Sequence, residues 1–204
     1  MHTPVKPMRA TEDQLAGIGD MLGRAFFADP LYTYIYPDGD ERRNRLSYDF
    51  AFLTRYGHRF GIVIVTPERT GCAIWLPPGE TAFLPERAAQ VSIPFATPPL
   101  SDGAQARWDT FIGTIEPMHH QLMPDPHWYL VVVGVEPAHQ GQGIGSAVLA
   151  PIVAQANHVH QPCYLETLQA KNLSFYKKHG FAVVNEVDLP EAGPRIWFLV
   201  NKLG

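Results

Sequence analysis

An apolar run followed by closely spaced glycines is the feature that most restricts the fold of this chain. Residues 129–135 read YLVVVGV, and residues 139–149 then read HQGQGIGSAVL. The first run predicts a buried strand, and the pattern after the glycines predicts a helix. Bare backbone between a strand and a helix is typical of a phosphate site, because glycine admits unusual φ angles and leaves N–H groups accessible.

Three kinds of phosphate loop match part of this pattern. A dinucleotide loop would find its acidic residue in Glu166, but Ser146 stands where its third glycine belongs. Five residues also separate the strand from the glycines, whereas the dinucleotide turn follows its strand directly. A mononucleotide loop needs a lysine after the last glycine, and none is present. A loop that holds a pyrophosphate on backbone N–H groups fits Gln140, Gly143 and Gly145 best, with a ligand-free turn as the alternative.

Helix and strand patterns are mixed along the chain and predict the α+β class with a partly parallel sheet. The expected helices cover residues 11–28, 40–58, 102–122, 144–157 and 172–180. The expected strands cover residues 61–66, 72–77, 127–135, 163–168, 181–187 and 195–202. The aromatic stretch 29–38 is predicted to be a loop, and the proline-rich stretch 77–99 a binding loop or an excursion around a site.

Composition narrows the classes of partner. The length of 204 residues favours one domain over residues 1–204. A net charge of −4 without a basic cluster argues against nucleic acid. No apolar segment is long enough for a membrane span, and no Cys/His/Asp spacing indicates a metal site. Cys72 and Cys163 are expected to be buried and reduced, and reduced thiols are typical of the cytoplasm, so we expect a soluble cytoplasmic protein. We expect it to be either a monomer or a homodimer.

The segment from Val135 to Ser146 resembles motif A of the GCN5-related N-acetyltransferase (GNAT) family, with Val-x-Pro and then Gln-x-x-Gly-x-Gly. The resemblance implies one mixed sheet of six or seven strands, splayed at its centre, with helices on both faces. It also implies acetyl-CoA as co-substrate, with the strand Val133–Val135 bulged and its backbone bound to the pantetheine and the thioester oxygen. The implied acetyl-CoA contacts are Val133, Gly134, Val135, Gln140, Gly141, Gln142, Gly143, Ile144, Gly145, Ser146 and Asn172.

The stretch 171–181, KNLSFYKKHGF, carries the same resemblance. Asn172 and Tyr176 are four residues apart, so they project from one face of a short helix. By resemblance, Asn172 orients the pantetheine arm and Tyr176 is the general acid for the departing CoA thiolate. The structural alternatives are a helix cap for Asn172 and a core position for Tyr176.

A narrower resemblance within the family is to the puromycin N-acetyltransferases. It rests on residues 8–30, 128–151, 163–181 and 187–202, and it is weak over residues 38–124. Much of the acceptor pocket of this family comes from that weak region. The resemblance therefore implies the fold and the co-substrate but leaves the amine open.

Direct transfer needs the acceptor amine as the free base, so a proton acceptor is expected in the site. Glu166 is the first candidate, because a glutamate among apolar strand neighbours has a raised pKa; a purely structural carboxylate is the alternative. The candidates for the acceptor pocket, with the histidines as second choices for the base, are Tyr32, Tyr34, Glu116, His119, His120 and Trp128. His127 is placed with Trp128 at the edge of the site, and His139 is expected to be exposed.

These observations predict an N-acetyltransferase that forms a ternary complex and acetylates a primary amine of a small molecule. The aromatic and proline-rich stretches favour a puromycin-like or otherwise partly apolar amine. Three alternatives stay open: an acetyltransferase of protein or peptide amines, a non-catalytic acyl-CoA sensor, and, as an outsider, a dinucleotide oxidoreductase.

Overall fold

One mixed sheet organises the chain in a computed structural model that describes residues 6–81 and 83–201. Its seven strands are β1 (Met8–Arg9), β2 (Ile62–Val65), β3 (Gly71–Leu76), β4 (Trp128–Val135), β5 (Cys163–Thr167), β6 (Phe181–Asp188) and β7 (Arg195–Asn201). Their order across the sheet is β1-β2-β3-β4-β5-β7-β6. The central pair, β4 and β5, is parallel, and the other neighbouring pairs are antiparallel. The mixed sheet predicted from the sequence is confirmed.

Helices lie against both faces of this sheet. Within the described ranges they are α1 (Leu15–Ala25), α2 (Pro30–Ile35), α3 (Gly39–Phe60), α4 (Pro85–Ala88), α5 (Asp102–Leu122), α6 (Ile144–His158) and α7 (Leu173–Lys178). The helix predicted over residues 102–122 has the bounds of α5. None of the helices in the described part of the chain is long and apolar enough to cross a membrane.

Two hydrophobic cores form because successive strand side chains point to opposite faces of the sheet. On one face, Ile74 and Phe198 pack with residues of α1, α2, α3 and α5. On the other face, Trp75 and Leu165 pack with residues of α6 and α7. A cavity that joins the two faces within the core would need an opening in the sheet.

The sheet opens at its centre, between β4 and β5. Pairing there is limited to Trp128 with Cys163 and Tyr129 with Tyr164, so the strands separate after their first two residues. β3 continues to pair with β4 as far as Val135. The predicted central splay is therefore present, and it leaves one edge of β4 without a neighbouring strand.

A β-bulge lies in β4 just where the strands separate. Ile74 of β3 pairs with Val132, and Trp75 pairs with Leu130, so Val131 is the extra residue. The family resemblance implies that Val133–Val135 lie in a bulged, splayed strand, and β4 is such a strand, with its inserted residue two positions before Val133. The position of that residue is not evident from the sequence. A near-continuous apolar run has no periodicity from which an inserted residue could be located.

The loop predicted over residues 29–38 is wrong, because Pro30–Ile35 form α2. Asp29 caps this helix by accepting a hydrogen bond from the Leu31 N–H at 2.9 Å, and Pro30 occupies the first helical position. Both are ordinary signals for a helix start. The sequence nevertheless favours a loop, because the segment is short and rich in aromatic residues.

Candidate active site

The glycine loop between β4 and α6 has the left-handed backbone that a phosphate site requires. Gly141 and Gly143 have φ angles of 75° and 81°, which strain residues with a side chain. A Cβ atom at either position would meet no atom within 4 Å, so the space in front of the loop is open. α6 begins at Ile144 and places its positive end at the loop. The loop therefore offers backbone donors and positive potential to an anion such as a pyrophosphate.

The free edge of β4 continues the site from the loop. The Glu136 N–H donates a hydrogen bond across the β3 side of the strand at 2.8 Å. Because backbone groups alternate along an antiparallel ladder, those of Val133 and Val135 point to the opposite, open edge. The Val135 carbonyl accepts a hydrogen bond from Gln140 Nε2 at 3.2 Å, which ties the loop to the strand. The unpaired groups near Val133 can bind an extended ligand as a further strand would.

Gly134 is required by the packing of α1 across β4. A Cβ atom at this position would lie 2.5 Å from Leu22 Cδ2 and 3.0 Å from Phe26 Cε2. The bulge is three residues away at Val131. Gly134 is therefore needed because side chains at the C-terminal end of α1 approach β4 closely.

Asn172 and Tyr176 come from the segment after β5. Asn172 stands at the N-cap position of α7, but its side chain makes no capping hydrogen bond. Tyr176 is 5% exposed. Burial and the negative charge of Asp29 raise the pKa of Tyr176, and the Thr167 hydroxyl partly offsets this shift. The Tyr176 hydroxyl therefore keeps its proton at neutral pH.

One cavity of about 1260 Å³ joins the glycine loop to the interior on the other side of the sheet. It passes through the gap between β4 and β5. Near the loop it is lined by Gly143, Gly145 and Asn172. The far end is largely aromatic, with Phe26, Tyr32, Phe52, Trp108, Phe111 and Tyr129 in its wall. A phosphate-binding loop and a partly apolar chamber are thus parts of the same cavity.

Glu166 lies on β5 beside the gap and lines this cavity. Burial raises the pKa of its carboxyl to about 7, and the nearby hydroxyls of Tyr164 and Tyr129 offset part of the shift. Its Oε1 atom is buried and completes no hydrogen bond with the described residues. A carboxylate that titrates near neutrality and has a free oxygen is suited to act as a general base.

His119, in the last turn of α5, also lines the cavity. Burial, with smaller effects of His127 and His120, lowers the pKa of His119 to about 3. The ring is therefore neutral at pH 7, where it can accept a hydrogen bond but cannot retain a proton. Glu166 is accordingly the better proton acceptor of the two.

The comparison with protein families agrees with this geometry. Residues 105–183, from within α5 into β6, match the family described as Acetyltransferase (GNAT) domain. The matched segment contains the glycine loop, Glu166 and Tyr176. The chain contains a GNAT acetyltransferase domain. This assigns the protein to the acetyl-CoA-dependent acyltransferases.

The chain is similar to an uncharacterized N-acetyltransferase of Schizosaccharomyces pombe, with 22% identity over 84% of this chain and 72% of the relative. Three solved structures share its fold. A Corynebacterium glutamicum histone acetyltransferase HPA2 and related acetyltransferase gives a TM-score of 0.64 at 20% identity, covering 98% of this chain and 96% of that one. Arylalkylamine N-acetyltransferase 2 of Aedes aegypti gives 0.62 at 11% identity, covering 99% and 100%. YncA of Salmonella typhimurium, solved with its cofactor acetyl-CoA, gives 0.52 at 16% identity, covering 99% and 95%.

Most of the predicted site residues line the cavity of the GNAT domain. They are Val133, Gly134, Val135, Gln140, Gly141, Gly143, Ile144, Gly145, Ser146, Asn172, Tyr176, Glu166, Tyr32, Glu116, His119 and His120. His139, expected to be exposed, is half-buried and also lines it, with a buried Nδ1 that has no partner among the described residues.

Gln142, Tyr34 and Trp128 lie outside the cavity wall. Gln142 is exposed at the tip of the loop. The Tyr34 hydroxyl is directed to the Pro190 carbonyl at 3.5 Å. Trp128 is 5% exposed and packs edge-on against Trp75 in the core beneath α6. A strand residue cannot face both sides of the sheet, and the α6 side is the one that Trp128 occupies.

Several residues of the GNAT site are missed by sequence reasoning. Tyr129 and Tyr164 flank Glu166, but within apolar strands they are indistinguishable from core residues. Arg45 and Asp49 form a buried ion pair of 3.1 Å in the cavity wall. Their spacing of four residues in a predicted helix is the only signal for this pair, and it does not indicate burial.

Proposed function

We propose that the protein transfers the acetyl group of acetyl-CoA to a primary amine of a small, partly apolar molecule, by direct transfer in a ternary complex. The observation that carries this proposal is the single cavity, which contains the glycine loop at one end and Glu166 with an aromatic chamber at the other. The gap between β4 and β5 connects the two ends. An amine in the chamber would thus meet a thioester that enters from the loop.

The residues at the loop end fit acetyl-CoA. The N–H groups around Gly141 and Gly143 would hold the pyrophosphate, for which open space is available. The free edge of β4 at Val133 would pair with the amide groups of the pantetheine arm. Asn172, whose side chain makes no helix-capping bond, would orient the same arm. The Salmonella YncA structure, which has the same fold and contains its cofactor acetyl-CoA, supports this assignment.

The chemistry at the far end follows from the two buried acid–base groups. Acetyl-CoA supplies an acyl carbon bonded to a good leaving thiolate. Glu166 would accept a proton from the attacking amine, for which a pKa of about 7 is well placed. Tyr176 would donate its hydroxyl proton to the sulfur as the C–S bond breaks. The two groups come from opposite faces of the sheet, and the gap lets them act on one substrate pair.

The aromatic chamber favours a small acceptor with an apolar portion. Its rings come from Phe26 just after α1 and from α2, α3, α5 and β4, and Phe83 and Leu84 of the proline-rich stretch add to its wall. Arylalkylamine acetylation by the Aedes protein of the same fold is consistent with such an acceptor. The narrower resemblance to puromycin N-acetyltransferases is the reason for including puromycin among the amines to be tried.

The proposal is tested by thiol release from acetyl-CoA in the presence of puromycin, arylalkylamines, aminoglycosides and short peptides. We expect release above the amine-free rate with puromycin or an arylalkylamine, and little with peptides, because a largely aromatic wall offers few partners to the polar groups of a peptide backbone. Acetyl-CoA binding is measured in parallel by calorimetry. Tight binding without release for any amine would contradict catalysis and favour an acyl-CoA sensor.

A further inference from the structure

Two histidines meet at the acceptor end of the cavity, one from α5 and one from the residue before β4. His119 Nε2 and His127 Nε2 are 2.7 Å apart, and His127 Nδ1 is 2.7 Å from the backbone carbonyl oxygen of Asp125. His127 is 3% exposed. The three groups therefore form a short, buried chain of hydrogen bonds.

This chain determines which nitrogen of each ring carries the proton. Burial lowers the pKa of both rings, so both are neutral at pH 7. A carbonyl oxygen can only accept, so His127 must donate from Nδ1, and its Nε2 is then an acceptor. His119 must therefore donate from Nε2. Its Nδ1 atom carries a lone pair and no proton.

His119 lines the cavity, and its Nδ1 atom is accessible. It has no hydrogen-bond partner among the described residues, and it is not one of their buried unpartnered polar atoms. The His119 ring stacks on Tyr164 with centroids 4.2 Å apart and meets Tyr129 edge-on at 4.7 Å. The same two tyrosines adjoin Glu166. His119 and Glu166 thus share one wall of the acceptor chamber.

We propose that His127 holds His119 in the tautomer that presents Nδ1 as a fixed hydrogen-bond acceptor to the amine substrate. His119 is then a specificity-determining residue, and His127 is a positioning residue. The inference deepens the proposed function and rests on it for its kinetic consequence. The tautomer itself follows from the geometry alone.

Two fixed acceptors on one wall select for a particular kind of amine. A primary amine that has lost one proton to Glu166 still has two N–H groups, and His119 Nδ1 can accept from one of them. A tertiary amine has no N–H group left as the free base. A ring with Nδ1–H would instead direct a donor at these N–H groups. The chamber is therefore matched to primary amines as long as His127 keeps the proton on Nε2 of His119.

The tautomer is measured first, in protein labelled with ¹⁵N at histidine, from long-range ¹H–¹⁵N correlation spectra at pH 7. We expect His119 to be protonated at Nε2 in the unmodified protein. His127→Phe removes the acceptor, and we expect the proton to move to Nδ1, because a buried N–H without a partner is costly. His127→Gln is the matched control, since its side-chain carbonyl can still accept from Nε2–H.

Steady-state kinetics with an accepted amine give the second readout. We expect His127→Phe to raise the KM for the amine about tenfold and to leave the KM for acetyl-CoA unchanged. His127→Gln should keep both constants near those of the unmodified enzyme. Nδ1–H on His119 of the unmodified protein would overturn the inference, as would an unchanged amine KM in His127→Phe. If no amine is acetylated, the proposed function fails separately, and the tautomer still decides this inference.

Discussion

The two ends of the cavity are built from different parts of the chain. The loop end is mostly backbone, from the contiguous residues 133–146, with Asn172 and Tyr176 added from the N-cap and the body of α7. The acceptor end is made of side chains from α1, α2, α3, α5, β4 and β5, which are far apart in sequence. A backbone site depends on glycine at a few positions. A side-chain site depends on how six elements pack, so it can change its ligand without changing the fold.

At the loop end, substitution of the single residue Gly143 should be enough to prevent acetyl-CoA binding. In Gly143→Val, the side chain would occupy the open space in front of the loop and block its N–H donors. We expect acetyl-CoA affinity to fall by more than about 100-fold, because several hydrogen bonds to charged phosphate oxygens are lost together. Calorimetric titration of the purified variant measures this loss.

A side chain at a left-handed backbone position also introduces strain, which would by itself lower the stability of Gly143→Val and its affinity for acetyl-CoA. A matched control is therefore needed. Gly79 has a φ of 84°, and a Cβ atom there would also meet nothing within 4 Å. It does not line the cavity, so Gly79→Val introduces similar strain without touching the loop. Equal losses of affinity in the two variants would contradict the phosphate site.

At the acceptor end, Glu166→Gln should lower kcat by about 100-fold, because general-base catalysis is typically of this size. In the unmodified enzyme, kcat/KM for the amine should rise with pH through about 7, since Glu166 must lose its proton before it can accept another. The variant should lose this rise. Glu116→Gln, at an exposed residue of the same cavity, is the control. A pH profile that survives in Glu166→Gln would assign the base to another group.

The contrast between the two ends also explains what the sequence could and could not predict. The glycine loop and the strand before it are contiguous, and the φ angles of Gly141 and Gly143 have the sign that the motif requires. The hydrogen bond between His119 and His127 joins a helix end to a residue beyond a turn. No periodicity brings those two rings together, because their distance is set by the packing of α5 on the sheet.

Local signals fail where two principles compete. Asp29 and Pro30 are good helix-start residues, yet the short α2 was hidden among aromatic residues typical of a loop. The bulge at Val131 falls in a run without alternation, where only pairing with β3 reveals it. The raised pKa predicted for Glu166 is found, because a single carboxylate among apolar strand residues is informative on its own. Its role as the base stays a prediction.

Glu166 should also make the folded protein less stable as the pH rises. Its pKa is raised to about 7 by burial, above the ordinary value near 4.5 that holds in the unfolded chain. The stability associated with the protonated form is fully present below pH 4.5 and is lost as the pH passes through 7. Glu166→Gln removes this loss, so it should be more stable than the unmodified protein by about 3 kcal/mol at pH 7 and by almost nothing at pH 4.5. Urea denaturation at the two pH values measures the difference; no gain at pH 7 would mean that the carboxylate is better solvated than its burial implies.

Tyr176 lies between the two ends of the cavity, so its substitution distinguishes a role in acetyl transfer from a role in acetyl-CoA binding. Its ring packs edge-on to Phe175 and Phe181 on the α6 side, whereas its hydroxyl group lies near Thr167 of β5. Tyr176→Phe keeps the ring and removes only the proton donor, so we expect kcat to fall about tenfold, toward the low end of acid–base effects, with acetyl-CoA affinity unchanged. Tyr34→Phe is the matched control, because it removes a hydroxyl that lies outside the cavity wall. Single-turnover rates and calorimetry separate the two effects. A loss of affinity with an unchanged rate would place Tyr176 in the co-substrate site, and the proton for the thiolate would then come from water.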